Sequence, residues 1–227
     1  MVDLGHPLAA GDPSWEGPPA LERRVVATFD KDGYTAGQIT VEEHFGTHLD
    51  APAHFAKEGW TVDAIPVDRL NRPGVVVNVS DKVKQDSDYR VTVADIQTFE
   101  KNVAPVPEGS IALIATGWDR SWPDRRRYMN ELDGVKHFPG LSTDAVGYLV
   151  NTRRVVGIGI DTPSIDYGPS TAFEAHRVSM PQNVFHIENA TGLTSLPPSG
   201  FRVIVAPIAI VGGSGGPTRV FALLPQG

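Results

Sequence analysis

His44-Phe45-Gly46-Thr47-His48-Leu49-Asp50-Ala51-Pro52-Ala53-His54 carries three histidines and an aspartate within eleven residues. Read with a period of two, positions 44, 46, 48, 50, 52 and 54 are His, Gly, His, Asp, Pro and His. The alternate positions 45, 47, 49, 51, 53 and 55 are Phe, Thr, Leu, Ala, Ala and Phe. An extended chain with this alternation packs one side on a core and presents imidazoles and a carboxylate on the other. Pro52 has no amide to give to a central sheet, so the stretch predicts a strand that becomes a loop near Pro52. Imidazole nitrogen and carboxylate oxygen together suit zinc, manganese or iron. The shared face makes His44, His48 and Asp50 metal-binding candidates.

Valine-rich stretches bounded by turn residues recur on both sides of this segment. Residues 24–29, 38–42, 75–80, 111–116, 155–160, 184–188, 201–207 and 220–224 read as short strands. Thr92 can cap a helix over 93–101, and Ser142 one ending near Asn151. With 23 glycines and 19 prolines the chain turns often, which disfavours a bundle of long helices. The polar segment 80–89 and the charged, aromatic segment 118–139 are excursions rather than linkers, and no internal repeat is present. The expectation is one β-rich α/β domain over residues 1–227.

A chain of 227 residues with 41% hydrophobic side chains buries a core, which excludes a disordered chain. The absence of cysteine excludes disulfides, thiolate metal sites and a cysteine nucleophile. Met1 to His6 show neither the basic nor the apolar region of a signal peptide, and no apolar run approaches the roughly 18 residues of a membrane span. The expectation is a soluble, cytoplasmic protein with no membrane partner. A net charge of −7 disfavours nucleic acid as a partner. The basic cluster Arg125-Arg126-Arg127 reads as a solvated surface turn.

Two further motifs compete for attention. Gly212-Gly213-Ser214-Gly215-Gly216 satisfies the GxSxG pattern of a serine-hydrolase nucleophile elbow. That elbow needs a helix after the serine and a histidine later in the chain, whereas Pro217 and a strand pattern follow and the last histidine, His186, lies upstream. A glycine-rich connection between strands is the preferred reading. Gly157-Ile158-Gly159 lacks the third glycine and the helix of a dinucleotide site.

The stretch from His44 to His54 resembles the HxGTHxDxPxH signature of the cyclase-like metal hydrolases, which include kynurenine formamidases and isatin hydrolases. Asp3 to Leu8, Gly140 to Ser142, Gly157 to Pro163 and the closing glycine-rich segment also resemble the family. The resemblance implies a swivelling β/β/α fold, a mostly β core flanked by helices, often assembled as a homodimer. It implies that His44, His48 and Asp50 bind metal and that His54 acts in proton transfer. His176 and Glu188, twelve residues apart, match the later pair that completes a two-metal site. Glu188 thereby enters both as a ligand and as a catalytic carboxylate. Isatin hydrolases are similar in Asp161 to Asp166 and Ala206 to Thr218, but resemble single-metal manganese enzymes with glutamine at the Glu188 position. The glutamate here favours two ions. His186 reads as structural, because the family interval selects His176.

The implied reaction is hydrolysis of a small amide by metal-activated water, with zinc or manganese as cofactor, one ion or two. The amide is an N-formyl arylamine such as N-formylkynurenine or a cyclic amide such as isatin or a γ-lactam. The alternatives are a lactone hydrolase of the same family and a non-catalytic metal-dependent binding module. Trp15, Phe45, Trp60 and Trp118 are the candidates for an aromatic substrate pocket. Metal ligation requires neutral imidazoles, so activity and metal occupancy are expected to fall together below about pH 6.

Overall fold

Val75, Val76 and Val77 are all buried, as expected of a strand covered on both faces. The computed structural model describes residues 1–17 and 20–225. Its strands are β1 (Val2–Asp3), β2 (Leu21–Ala27), β3 (Ala36–Val41), β4 (His48–Asp50), β5 (Asn71–Asn78), β6 (Arg90–Val91), β7 (Ile111–Ala115), β8 (Gly140–Leu141), β9 (Gly157–Ile160), β10 (Phe185–Glu188), β11 (Phe201–Pro207) and β12 (Gly215–Leu223). Between them lie α1 (Phe29–Asp32), α2 (Ser80–Val83), α3 (Val93–Asn102), α4 (Arg125–Met129), α5 (Thr143–Gly147) and α6 (Glu174–Ser179).

The main sheet runs β1-β12-β11-β5-β7-β9-β10-β4, and β4 pairs again with β12, so the sheet closes into a barrel. β5, β7, β9 and β10 are parallel neighbours, whereas β11, β12 and β4 run antiparallel to theirs. Val76, Leu113, Leu49, Ile187 and Val203 fill the barrel. Val75, Val77, Ala112 and Ile114 face outward under Ile96 and Phe99 of α3 and Leu149 after α5. This is the expected β-rich core flanked by helices. None of the helices among the described residues is long and apolar enough to cross a membrane.

The two expected helices form where their caps stand. Thr92 accepts from the Asp95 amide while the Asp95 carboxylate accepts from the Thr92 amide, a closed capping box. Ser142 caps α5, whose continuation over Tyr148–Thr152 widens into a π-helical turn. Two expectations need correction. Arg125 to Arg127 open α4, capped by Asp124, instead of forming a turn. The glycine-rich segment is only partly a connection, because Gly215 and Gly216 already belong to β12 and pair with Asp50 and Leu49.

Candidate metal centre and active site

The register of β10 on β4 places His186 opposite Asp50, Ile187 opposite Leu49 and Glu188 opposite His48. Leu49 and Ile187 enter the barrel core, so strand alternation turns His48, Asp50, His186 and Glu188 to the opposite face. The strand over the signature is shorter than the alternation suggested. Only His48–Asp50 is a strand, Gly46 takes a left-handed turn with φ 62°, and Pro52–His54 is a single 3-10 turn. A side chain at Gly46 would also run into Leu8. The left-handed turn brings His44 back beside Asp50, Nδ1 to Oδ1 at 2.6 Å. Gly215 leaves room for that ring, since a Cβ there would stand 2.7 Å from His44 Cε1.

The two carboxylates divide their oxygens between two groups of imidazoles. Asp50 Oδ1 lies 2.6 Å from His44 Nδ1 and 3.0 Å from His48 Nε2, and Oδ2 lies 3.4 Å from His176 Nε2. Glu188 Oε2 lies 3.6 Å from His48 Nε2 and Oε1 lies 3.5 Å from His176 Nε2. The opposite nitrogen of each imidazole is held from outside. His44 Nε2 meets Ser214 Oγ at 2.9 Å, His48 Nδ1 donates to the Gly46 carbonyl at 2.9 Å, and His176 Nδ1 donates to Asp166 Oδ2 at 2.6 Å. Such outer partners fix the tautomer and orient a metal-binding histidine. Asp50 Oδ2 is buried without a hydrogen-bond donor of its own. An anionic oxygen left so, among inward-facing nitrogens, fits a divalent cation. The groups His44, His48, Asp50 and Asp50, His176, His186, Glu188 each bring their donor atoms within 4.8 Å of one another.

The electrostatics agree with a cation-seeking site. Burial works against charge on His176, but its hydrogen bond to Asp166 and the neighbouring Asp50 and Glu188 carboxylates prevail and raise its pKa to about 10. Burial and the neighbouring Asp50 charge push Glu188 well above the ordinary carboxylate range. At neutral pH the residues by themselves therefore hold a proton on His176 that a cation must displace. Filling the position at His176 is expected to release about one proton at pH 7, so affinity there rises with pH through the neutral range. Titration of zinc into weakly buffered, chelator-treated protein measures this; zinc uptake with no change of pH would contradict it.

His54 differs from the others. Its ring stacks on His44 with centroids 4.0 Å apart, and no side-chain hydrogen bond ties it down among the described residues. Loss of surrounding water within the cavity pushes its pKa down to about 4, although its side chain opens to solvent, so it is neutral at pH 7.

A cavity of about 270 Å³ opens over these groups, walled by Trp15, Phe55, Phe173, Met129 and Pro163 with Ser14 and Ser164. Phe173 lies 5.5 Å from Phe55 and 5.9 Å from Trp15, ring to ring. Of the four aromatic candidates, Trp15 alone lines the cavity. The other three are corrected. Phe45 is buried with Ala20 and Leu21, on the apolar side its odd position implied. Trp60 packs on the barrel core beneath Arg69, and Trp118 is anchored by its indole N–H on the Tyr128 carbonyl.

Phe55 and Phe173 escaped sequence reasoning, although Phe55 directly follows the signature. Helix α6, which carries His176, has no local cap signal; its first turn is capped by Asp166, whose carboxylate accepts from the amides of Ala175 and His176. Asp166 thus sets both the helix and the ring that stands on it.

The chain belongs to the family described as Putative cyclase, whose model matches residues 2–167. It is 30% identical to an isatin hydrolase from Roseibium aggregatum over 92% of this chain and 82% of that protein. It is 24% identical to a kynurenine formamidase from Salinibacter ruber over 96% of this chain and 95% of that protein. Among solved structures, an isatin hydrolase bound to the product analogue thioisatinate superposes with a TM-score of 0.93 at 29% identity, covering 99% of this chain and 92% of that one.

Proposed function

We propose that this protein is a metal-dependent amidohydrolase that opens or deformylates a small amide: an N-formyl arylamine such as N-formylkynurenine, or a cyclic amide such as isatin or a γ-lactam. The observation that carries the reading is the arrangement of Asp50 and Glu188, each with one oxygen toward either group of imidazoles, at the floor of an aromatic-walled cavity. His44, His48 and Asp50 would hold one ion, and His176 and Glu188 would join Asp50 around a second. A zinc or manganese ion held there supplies Lewis acidity and lowers the pKa of water toward about 7.

The residues supply the rest. Neutral His54, untied at the cavity, accepts a proton from water as its oxygen bonds to the carbonyl carbon, and returns that proton to the nitrogen as the C–N bond breaks. Trp15, Phe55 and Phe173 offer ring faces that orient an aryl group. The named relatives, an isatin hydrolase and a kynurenine formamidase, support this class of substrate. Residues Val25, Val26 and Ile39 are exposed on β2 and β3, which form a two-stranded sheet of their own, and this supports assembly as a homodimer. We place the protein in the cytoplasm.

The test is hydrolysis of N-formylkynurenine, isatin and a bicyclic γ-lactam by chelator-treated protein before and after zinc or manganese is added. Metal-restored turnover of any one is expected. Full metal binding with no turnover of any of the three, nor of a γ-lactone assayed beside them, would leave the binding-module reading.

A serine-hydrolase reading has one observation in its favour: Ser214 Oγ, His44 and Asp50 form a continuous hydrogen-bonded row. Against it, the Ser214 hydroxyl donates to Glu43 Oε2 at 2.6 Å, and β12 follows the serine where a helix would be needed. Ser214 instead orients the His44 ring. Ser214→Ala is therefore expected to weaken metal affinity by about 10–100-fold while excess metal restores turnover. Loss of turnover that no metal concentration repairs would favour the nucleophile.

A further inference from the structure

The family interval marks His186 as structural, but the strand register gives it a different posture. It stands on β10 directly opposite Asp50, on the same face as Glu188, and is fully buried. Its Nε2 lies 2.7 Å from Ser179 Oγ. That hydroxyl points back to the Ala175 carbonyl at 2.9 Å, the back-bond of a helical serine, which uses its only proton. Ser179 therefore accepts from His186 Nε2–H, and His186 Nδ1 carries a lone pair. That lone pair faces Asp50 Oδ2 at 3.9 Å, and both atoms are buried with no hydrogen-bond partner.

Two electron-rich atoms facing each other in a buried site repel unless a cation lies between them. We propose that His186 Nδ1 is a metal ligand, the fourth protein donor of the ion position formed by Asp50 Oδ2, His176 Nε2 and Glu188 Oε1. The inference rests on the metal-dependent reading above and extends it.

Three distances bear on the fit. Asp50 Oδ2 to His176 Nε2 is 3.4 Å, His176 Nε2 to Glu188 Oε1 is 3.5 Å, and Asp50 Oδ2 to His186 Nδ1 is 3.9 Å. Zinc bonds of about 2.0–2.2 Å to nitrogen and carboxylate oxygen give tetrahedral edges of about 3.3–3.6 Å; these three distances lie at or near that range, and all four donor atoms are within 4.8 Å of one another. Three of the four donors have an outer partner. Ser179 holds His186, Asp166 holds His176, and the Ile165 amide donates to Glu188 Oε1 at 2.9 Å. His186 thus repeats the pattern of His44, His48 and His176, with the outer nitrogen tied to an acceptor and the inner one turned on the carboxylates.

The experiment is zinc titration of chelator-treated full-length protein, read by metal content and by nitrogen NMR of ¹⁵N-histidine-labelled protein. Two equivalents are expected. The second shifts the Nδ1 resonance of His186 while its Nε2–H signal persists, a signature that a purely structural histidine would not give. His186→Phe, which keeps a ring in the core, is expected to retain one equivalent. If that variant does not fold, Ser179→Ala serves instead, with the second equivalent weakened about 10–100-fold and the first unchanged.

Uptake of two equivalents with the His186 resonances unmoved overturns the inference. Uptake of a single equivalent that restores turnover also overturns it and leaves the proposed function intact. No zinc uptake at all removes both.

Discussion

His54→Ala is expected to lower kcat by about 10²–10⁴-fold, the range for loss of a general acid–base group, while the protein keeps its metal. The ring sits at the end of the 3-10 turn Pro52–His54, stacked on His44 and 6.0 Å, centroid to centroid, from His176. It is open to solvent and makes no side-chain hydrogen bond among the described residues, so its removal should change folding stability by little, within about 0.5 kcal/mol. The other imidazoles near it each have an outer partner and an inward nitrogen; His54 has neither, and is free to take and return a proton. Steady-state kinetics alongside metal content measure the split. A variant that keeps both its metal and its turnover would assign proton transfer to another group, whereas loss of metal would make His54 a ligand.

Asp50→Asn is expected to remove metal binding at both positions and to take turnover to background. The side chain is buried, and its two oxygens face different imidazole groups. Burial opposes its charge, but His48, His176 and His44 hold its pKa well below the ordinary carboxylate range. Asparagine has nearly the same shape and removes the charge, so the fold should persist as measured by circular dichroism. Affinity should fall by more than the roughly 100-fold that loss of an orienting residue causes. Glu188 provides a second signature. Its pKa is raised by burial and by the Asp50 charge, so neutralising residue 50 should let Glu188 ionise more readily. Native affinity for two ions in Asp50→Asn would contradict the shared-carboxylate arrangement.

Legibility of the fold varied with how local its cause was. The stretches now forming β7, β10 and β11 could be read directly, because Val, Ile and Phe cluster between turn residues. β4 is three residues long and is a strand because β10 and β12 flank it; no local pattern sets that length. The start of β12 lies in a glycine run that reads as a connection, yet Gly215 pairs with Asp50 and clears space for His44. Helix α6 was not legible because its capping carboxylate, Asp166, is separated from it by an irregular segment.

The sequence by itself determined which donors are available: His44, His48, Asp50 and His54 at fixed short spacings, His176 and Glu188 further on, and no thiolate. It also determined that a β-rich core would carry them, because short apolar stretches bounded by turn residues recur along the chain. Only the tertiary structure decided which nitrogen of each imidazole faces inward, because that depends on Ser214, Gly46, Asp166 and Ser179, partners brought up by other strands and turns. It alone put His186 opposite Asp50, since cross-strand register is set by packing Leu49 and Ile187 into the barrel. It also chose Phe55 and Phe173 over Phe45, Trp60 and Trp118 as cavity walls, because a ring's neighbours are fixed by where its backbone lies in the closed sheet.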